Sequence, residues 1–188
     1  AEALASRYLG GTYERVFNGI EIPFFASAEP TPDEGLPTIL FLGRHEERKG
    51  LVVLLDALAE LPRDVRLWVA GDGPDTDHLR HRTSGDPRVE WLGRISEEEK
   101  AARLRAADVF CAPSLRGESF GIVLLEAMAA GAALVASDLP GYANVARAGR
   151  DAVLVPPGDA AELAKAINQI LDSPSRHEEL VAAGHERA

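Results

Sequence analysis

Two glutamates, Glu118 and Glu126, stand eight residues apart in the stretch GESFGIVLLEAMAAG, Gly117–Gly131, around a run that is otherwise apolar. At about 100° and 1.5 Å per residue, a helix would leave Glu126 about 80° around from the projected position of Glu118 and about 12 Å along the axis. Leu124 and Met128 then project opposite Glu126, while Ile122, Val123 and Ala130 share its side. A carboxylate among apolar neighbours is costly unless hydrogen-bond donors meet it. The hydroxyl groups of a sugar are suitable donors. The competing reading is a surface glutamate at 126, beside one at 118 that merely suits a helix dipole.

A second constellation lies in GRHEERKG, Gly43–Gly50. Arg44 and Lys49 flank the expected start of the helix LVVLLDALAEL, where free N–H groups and the helix dipole already favour an anion. Arginine offers paired donors to a phosphate, and lysine a mobile point charge. Alternatively both are solvated loop charges offset by Glu46 and Glu47. His45, between them, is expected to be a solvated loop histidine rather than a phosphate ligand. The helix carrying Glu126 is expected to begin near Ser119, with the N–H groups of Ser119, Phe120 and Gly121 facing a crevice. Gly121 has no side chain to obstruct an approaching phosphate.

The elements that must position these loops are legible as alternation. Apolar runs over 38–42, 66–70, 89–92, 108–112, 133–137 and 152–155 mostly lack polar alternation, which suits strands covered on both faces. Helical patterns separate them. Ser96-Glu97-Glu98-Glu99 reads as a capping box, Asp159 as a cap with Glu162 three residues on, and Ser175 as the cap of a last helix. The fold class is therefore α/β, a Rossmann-like doubly wound parallel sheet of about six strands. Such sheets bind ligands at the carboxyl ends of their strands, where the loops 43–50, 71–75, 93–96, 113–119 and 137–141 fall.

Residues 1–37 have a different texture: a short helix AEALASRYL stopped by Gly10-Gly11, then YERVFNGIEI as a strand and turn, then the proline-rich FFASAEPTPDEGLP. They are read as an interdomain connector, with Asn18-Gly19 a turn of positive φ. Residues 38–188 form the domain proper and end in a helix expected to continue. The chain carries no initiator methionine and is read as a piece of a longer protein.

A net charge of −10 argues against nucleic acid as a partner, which requires a basic face. The lone Cys111 forms no internal disulfide and fits a reducing cytoplasm. No apolar run approaches the roughly 20 residues that span a bilayer. Trp68, Trp91 and Cys111 are expected in the core, and His78, His81, His177 and His185 are given no role. Asp72, Asp75 and Asp77 are read as turn and helix-start residues rather than metal ligands.

GRHEERKG, FNGIEI and the Glu-x7-Glu stretch together resemble the carboxyl-terminal half of retaining glycosyltransferases of family 4 (group 1), which have the GT-B fold. The longer run from Ala107 to Gly141 is similar to bacterial phosphatidylinositol mannosyltransferases. The resemblance implies that Gly43, Arg44 and Lys49 hold a donor diphosphate and stabilise the leaving group. It implies that Glu118 contacts hydroxyls of the transferred sugar, that the backbone of Phe120, Gly121 and Ile122 meets sugar and phosphate, and that Glu126 binds the ribose. Ile95 would pack on the base, with Lys100 near it. The donor implied is a nucleotide sugar such as GDP-mannose, with no metal cofactor. An amino-terminal Rossmann-like domain would be the missing partner, the acceptor a lipid or small molecule, and the location cytoplasmic and peripheral at the inner membrane. By itself the fragment is expected to bind nucleoside diphosphate weakly and to be inactive in transfer.

Two other function classes compete. A dinucleotide-binding domain of an oxidoreductase requires Gly-x-Gly-x-x-Gly after the first strand. GRHEERKG lacks that spacing, and GDGPDT lacks the third glycine. A non-catalytic nucleotide-binding module would keep the binding residues without transfer.

Overall fold

The computed structural model describes residues 2–11, 18–32, 35–61 and 64–188. Two short helices, α1 (Glu2–Leu9) and α2 (Ile22–Ala26), precede the sheet. The strands β1 (Thr38–Leu42), β2 (Arg66–Ala70), β3 (Val89–Gly93) and β4 (Val109–Ala112) are separated by α3 (Leu51–Leu58), α4 (Thr76–Arg82) and α5 (Glu97–Ala106). Helix α6 (Ile122–Ala130) then leads to β5 (Ala133–Ser137), and β6 (Val153–Val155) is followed by α7 (Ala160–Leu171) and α8 (Pro174–Arg187).

The six strands are all parallel, in the order β3-β2-β1-β4-β5-β6. Side chains alternate between the two faces, as the two-residue period of a strand requires. Ile39, Phe41, Leu67, Val69, Val109 and Cys111 face α3 and α7, while Leu40, Trp68, Phe110 and Leu134 face α5 and α6. Both faces are covered, so the strands are apolar throughout, as expected of a parallel sheet. The chain reverses its direction of growth between β1 and β4, and the loops after these two strands therefore face one crevice.

Helix α6 is buried from Leu124 through Ala130, on every side, and it sits in the centre of one helical layer. Ser96 accepts a hydrogen bond from the Glu99 N–H and Asp159 one from the Glu162 N–H, so both expected caps form. The cap of α8 is Ser173 and not Ser175: Ser173 Oγ accepts from the Arg176 N–H, and Pro174 occupies the first helical position. Proline fits there because its fixed φ is helical and its missing N–H would have had no helical partner.

The amino-terminal segment also departs from expectation. Of the expected strand and turn over 13–22, residues 13–17 lie outside the described residues, and Ile22 opens α2 with Pro23 in its first turn. Phe25 of α2 is buried against the layer of α5 and α6. Neither Asn18 nor Gly19 has a positive φ. Among the described residues, no helix is long and apolar enough to cross a membrane.

Candidate functional site

The loop after β1 folds into a single 3-10 turn, Glu47–Lys49, directly before α3. That turn presents Arg48 and Lys49 to the loop after β4, and the Leu115 N–H donates to the Arg48 carbonyl at 2.8 Å. Lys49 Nζ reaches Glu118 Oε1 at 2.6 Å, and Arg48 stands 3.6 Å from the same oxygen. Arg48 also pairs with Glu46 at 2.7 Å. Sequence reading missed Arg48. The signal was there in the consecutive Arg48-Lys49, but only the tight turn shows that both face Glu118.

Gly43, Arg44 and Ile95 come together in a neighbouring cleft of about 340 Å³ over the ends of β1, β2 and β3. Lys100 lines the same cleft, closed on one side by the Arg94–Asp72 ion pair at 2.7 Å. Arg44 is mostly exposed, with Nε 3.8 Å from Glu46. It does not share Glu118 with Lys49.

From that cleft Lys100 reaches inward. Its Nζ lies 2.9 Å from Glu126 Oε1, 2.6 Å from Glu97 and 5.3 Å from the centre of the Phe25 ring. Burial pulls the Lys100 ammonium down, but its bonds to Glu97 and Glu126 outweigh this and leave it above the usual lysine range. Burial pushes Glu126 above the usual carboxylate range, with Lys100 opposing the shift. Each acid of the Glu-x7-Glu pair thus has its own lysine, Lys49 for Glu118 and Lys100 for Glu126.

Helix α6 begins at Ile122, not near Ser119, because Gly121 adopts a left-handed conformation at its cap (φ 86°, ψ 52°). A Cβ at Gly121 would sit 2.7 Å from the Tyr142 ring, so the bare backbone there admits Tyr142. The first-turn N–H groups are consequently those of Ile122 and Val123, while the Leu124 N–H bonds the Gly121 carbonyl at 2.9 Å. Ile122 is exposed and Phe120 half-buried.

His45 is neither solvated nor a surface ligand; it is completely buried. The loop folds under, with the His45 N–H bonding the Asp72 carbonyl and the Asp75 N–H bonding the His45 carbonyl. Its ring lies edge-on to Trp91 at 5.4 Å, and Nδ1 is 2.8 Å from Thr76 Oγ1. Nε2 is buried without a hydrogen-bond partner among the described residues. Burial holds the imidazole below the usual histidine range, against the opposing pull of the Ala70 carbonyl and Asp72.

Residues 36–173 match the family described as glycosyl transferases group 1. The chain is 45% identical over 187 residues to a phosphatidyl-myo-inositol mannosyltransferase of Mycobacterium leprae, covering 95% of this chain and 49% of that protein. Among solved structures, the sucrose-phosphate synthase of Thermosynechococcus elongatus superposes with a TM-score of 0.85 at 30% identity, over 99% of this chain and 50% of that one. HepE of Anabaena, solved in complex with UDP-glucose, superposes at 0.81 with 24% identity, over 91% of this chain and 51% of that one, and shares the fold. The chain spans about half the length of the curated relatives it matches.

Proposed function

The chain belongs to the group 1 glycosyltransferases, and from that membership we propose that it is the donor-binding half of a retaining mannosyltransferase. The donor is GDP-mannose. The other half of the protein, a second Rossmann-like domain, supplies the acceptor site, and the acceptor is a membrane lipid reached from the cytoplasmic face. The similarity to mannosyltransferases supports the choice of sugar.

The observation that carries the reading is the pair of lysine–glutamate contacts at the carboxyl-end side of the sheet, Lys49 on Glu118 and Lys100 on Glu126. Without ligand these charges neutralise each other. A diphosphate draws Lys49 and Arg44 to itself, joined by the amides that open α6, and the same groups stabilise the charge that builds on the departing nucleotide. Glu118 then accepts hydrogen bonds from the sugar hydroxyls, which replace those lost from Lys49. Glu126 takes the ribose, Ile95 the base, and the backbone of Phe120, Gly121 and Ile122 approaches the sugar and phosphate.

Calorimetric titration of GDP-mannose, UDP-glucose and ADP-glucose into the protein tests this. GDP-mannose is expected to bind tightest; absence of binding by all three would remove the donor-site reading, and a preference for UDP-glucose would overturn the choice of nucleotide.

A further inference from the structure

Resting on the reading of Glu118 as the sugar-binding acid, we propose that Ser114 and Tyr142 are positioning residues. They orient the Glu118 carboxylate and so set how far the site prefers a nucleotide sugar to the bare nucleoside diphosphate. Ser114 Oγ lies 2.9 Å from Glu118 Oε1 and 3.0 Å from the Tyr142 hydroxyl. Both residues are buried at 2% exposure, Ser114 after β4 and Tyr142 in the 3-10 turn Tyr142–Asn144 after β5.

The direction of the protons follows from chemistry. A carboxylate accepts only, so Ser114 spends its single O–H on Glu118, and its lone pairs must accept from Tyr142. The relay therefore runs from the Tyr142 hydroxyl to Ser114 to Glu118. Burial raises the Tyr142 phenol well above its ordinary range, despite its bond to Ser114, which keeps it a donor throughout the working pH range.

Three groups converge on one oxygen. Lys49, Ser114 and Arg48 all address Oε1, and among the described residues no donor meets Oε2. One oxygen is pinned and the other is left to accept from a ligand. Lys49 sits on a flexible stem and can leave for a phosphate, whereas Ser114 and Tyr142 are fixed inside the protein. Once the lysine has moved, the relay remains the constant partner of the carboxylate.

The backbone locks this arrangement. A Cβ at Gly141 would sit 1.9 Å from the Glu118 carbonyl oxygen, so the turn bearing Tyr142 lies directly against the Glu118 backbone. The ring of Tyr142 is packed independently of its hydroxyl, which makes Tyr142→Phe a clean probe.

The test measures the affinities of GDP-mannose and GDP, with UDP-glucose and UDP alongside, for wild type, Tyr142→Phe, Ser114→Ala and the double variant. Losing one hydrogen bond, Tyr142→Phe is expected to weaken the nucleotide sugar roughly fivefold and leave the diphosphate unchanged. Ser114→Ala is expected to lose about tenfold for the sugar alone, and the double variant no more than that, because Tyr142 acts through Ser114. Equal losses for sugar and diphosphate, additive losses, or an unchanged sugar-to-diphosphate ratio in Tyr142→Phe would each overturn the relay while leaving the donor site standing. If wild type binds neither class of ligand, the donor-site reading falls and the relay with it.

Discussion

Lys49 and Glu118, 69 residues apart in sequence, meet at 2.6 Å between the loop after β1 and the loop after β4. The contact joins the two halves of the crevice where the sheet order reverses. On the proposed donor-site reading, ligand binding here is an exchange of partners: an anion takes the lysine and polar hydroxyls take the carboxylate.

That exchange separates the two residues experimentally. Lys49→Ala is expected to weaken GDP and GDP-mannose alike, by about 10- to 100-fold, since it removes a charged donor to phosphate. Glu118→Gln should weaken GDP-mannose and spare GDP. Parallel titrations of both ligands would refute the assignment if the two variants showed the same pattern.

Lys100 and Glu126 make a different case, because both are mostly buried. Removing one partner of such a pair leaves an uncompensated charge, so Lys100→Met is expected to cost about 3 kcal/mol at pH 7. The sign with pH follows from Glu126, whose folded carboxyl is raised by burial. Such a group contributes stability below its unfolded value, near 4.3, and loses it as pH rises through the folded value. The cost of Lys100→Met should thus be small at pH 4 and grow towards pH 7, as urea denaturation at several pH values would show. A cost independent of pH would mean that Glu126 is not the group left stranded.

His45 should act in the opposite sense. Its folded pKa is lowered by burial, so its contribution is present above the unfolded value, near 6.5, and is lost as pH falls through the folded value. The melting temperature is expected to drop as pH goes from 7 towards 5, and the imidazole resonances of His45 to titrate below those of an exposed histidine. Titration of His45 at 6.5 or above would contradict its burial.

The start of α8 offers a structural control. Ser173→Ala is expected to destabilise the protein by about 1 kcal/mol, the usual value of an N-cap, whereas Ser175→Ala should change stability by less than about 0.5 kcal/mol. Denaturant melts of the two variants decide between the caps, and the reverse order would restore Ser175.

What the sequence disclosed and what it hid follow one physical line. Strands such as Thr38–Leu42 and Ala133–Ser137 were legible to the residue, because a sheet covered on both faces leaves an apolar run that no other element explains. The caps Ser96 and Asp159 were legible because capping is local. His45 was not: its neighbours Arg44, Glu46 and Glu47 have the composition of a solvated loop, and only backbone bonds to Asp72 and Asp75 draw it inside. The start of α6 was misplaced because Tyr142, 21 positions beyond Gly121, packs against it. Lys100 with Glu126, and Ser114 with Tyr142, come from separate elements whose meeting is a property of the sheet order.

Phe25 belongs to a helix that precedes every strand, yet its ring lies against the ammonium that holds Glu126. Displacing that helix would take the ring away from the cation that neutralises Glu126. The segment leading into the sheet thus shares one cluster with the buried acid, although it comes first in the chain.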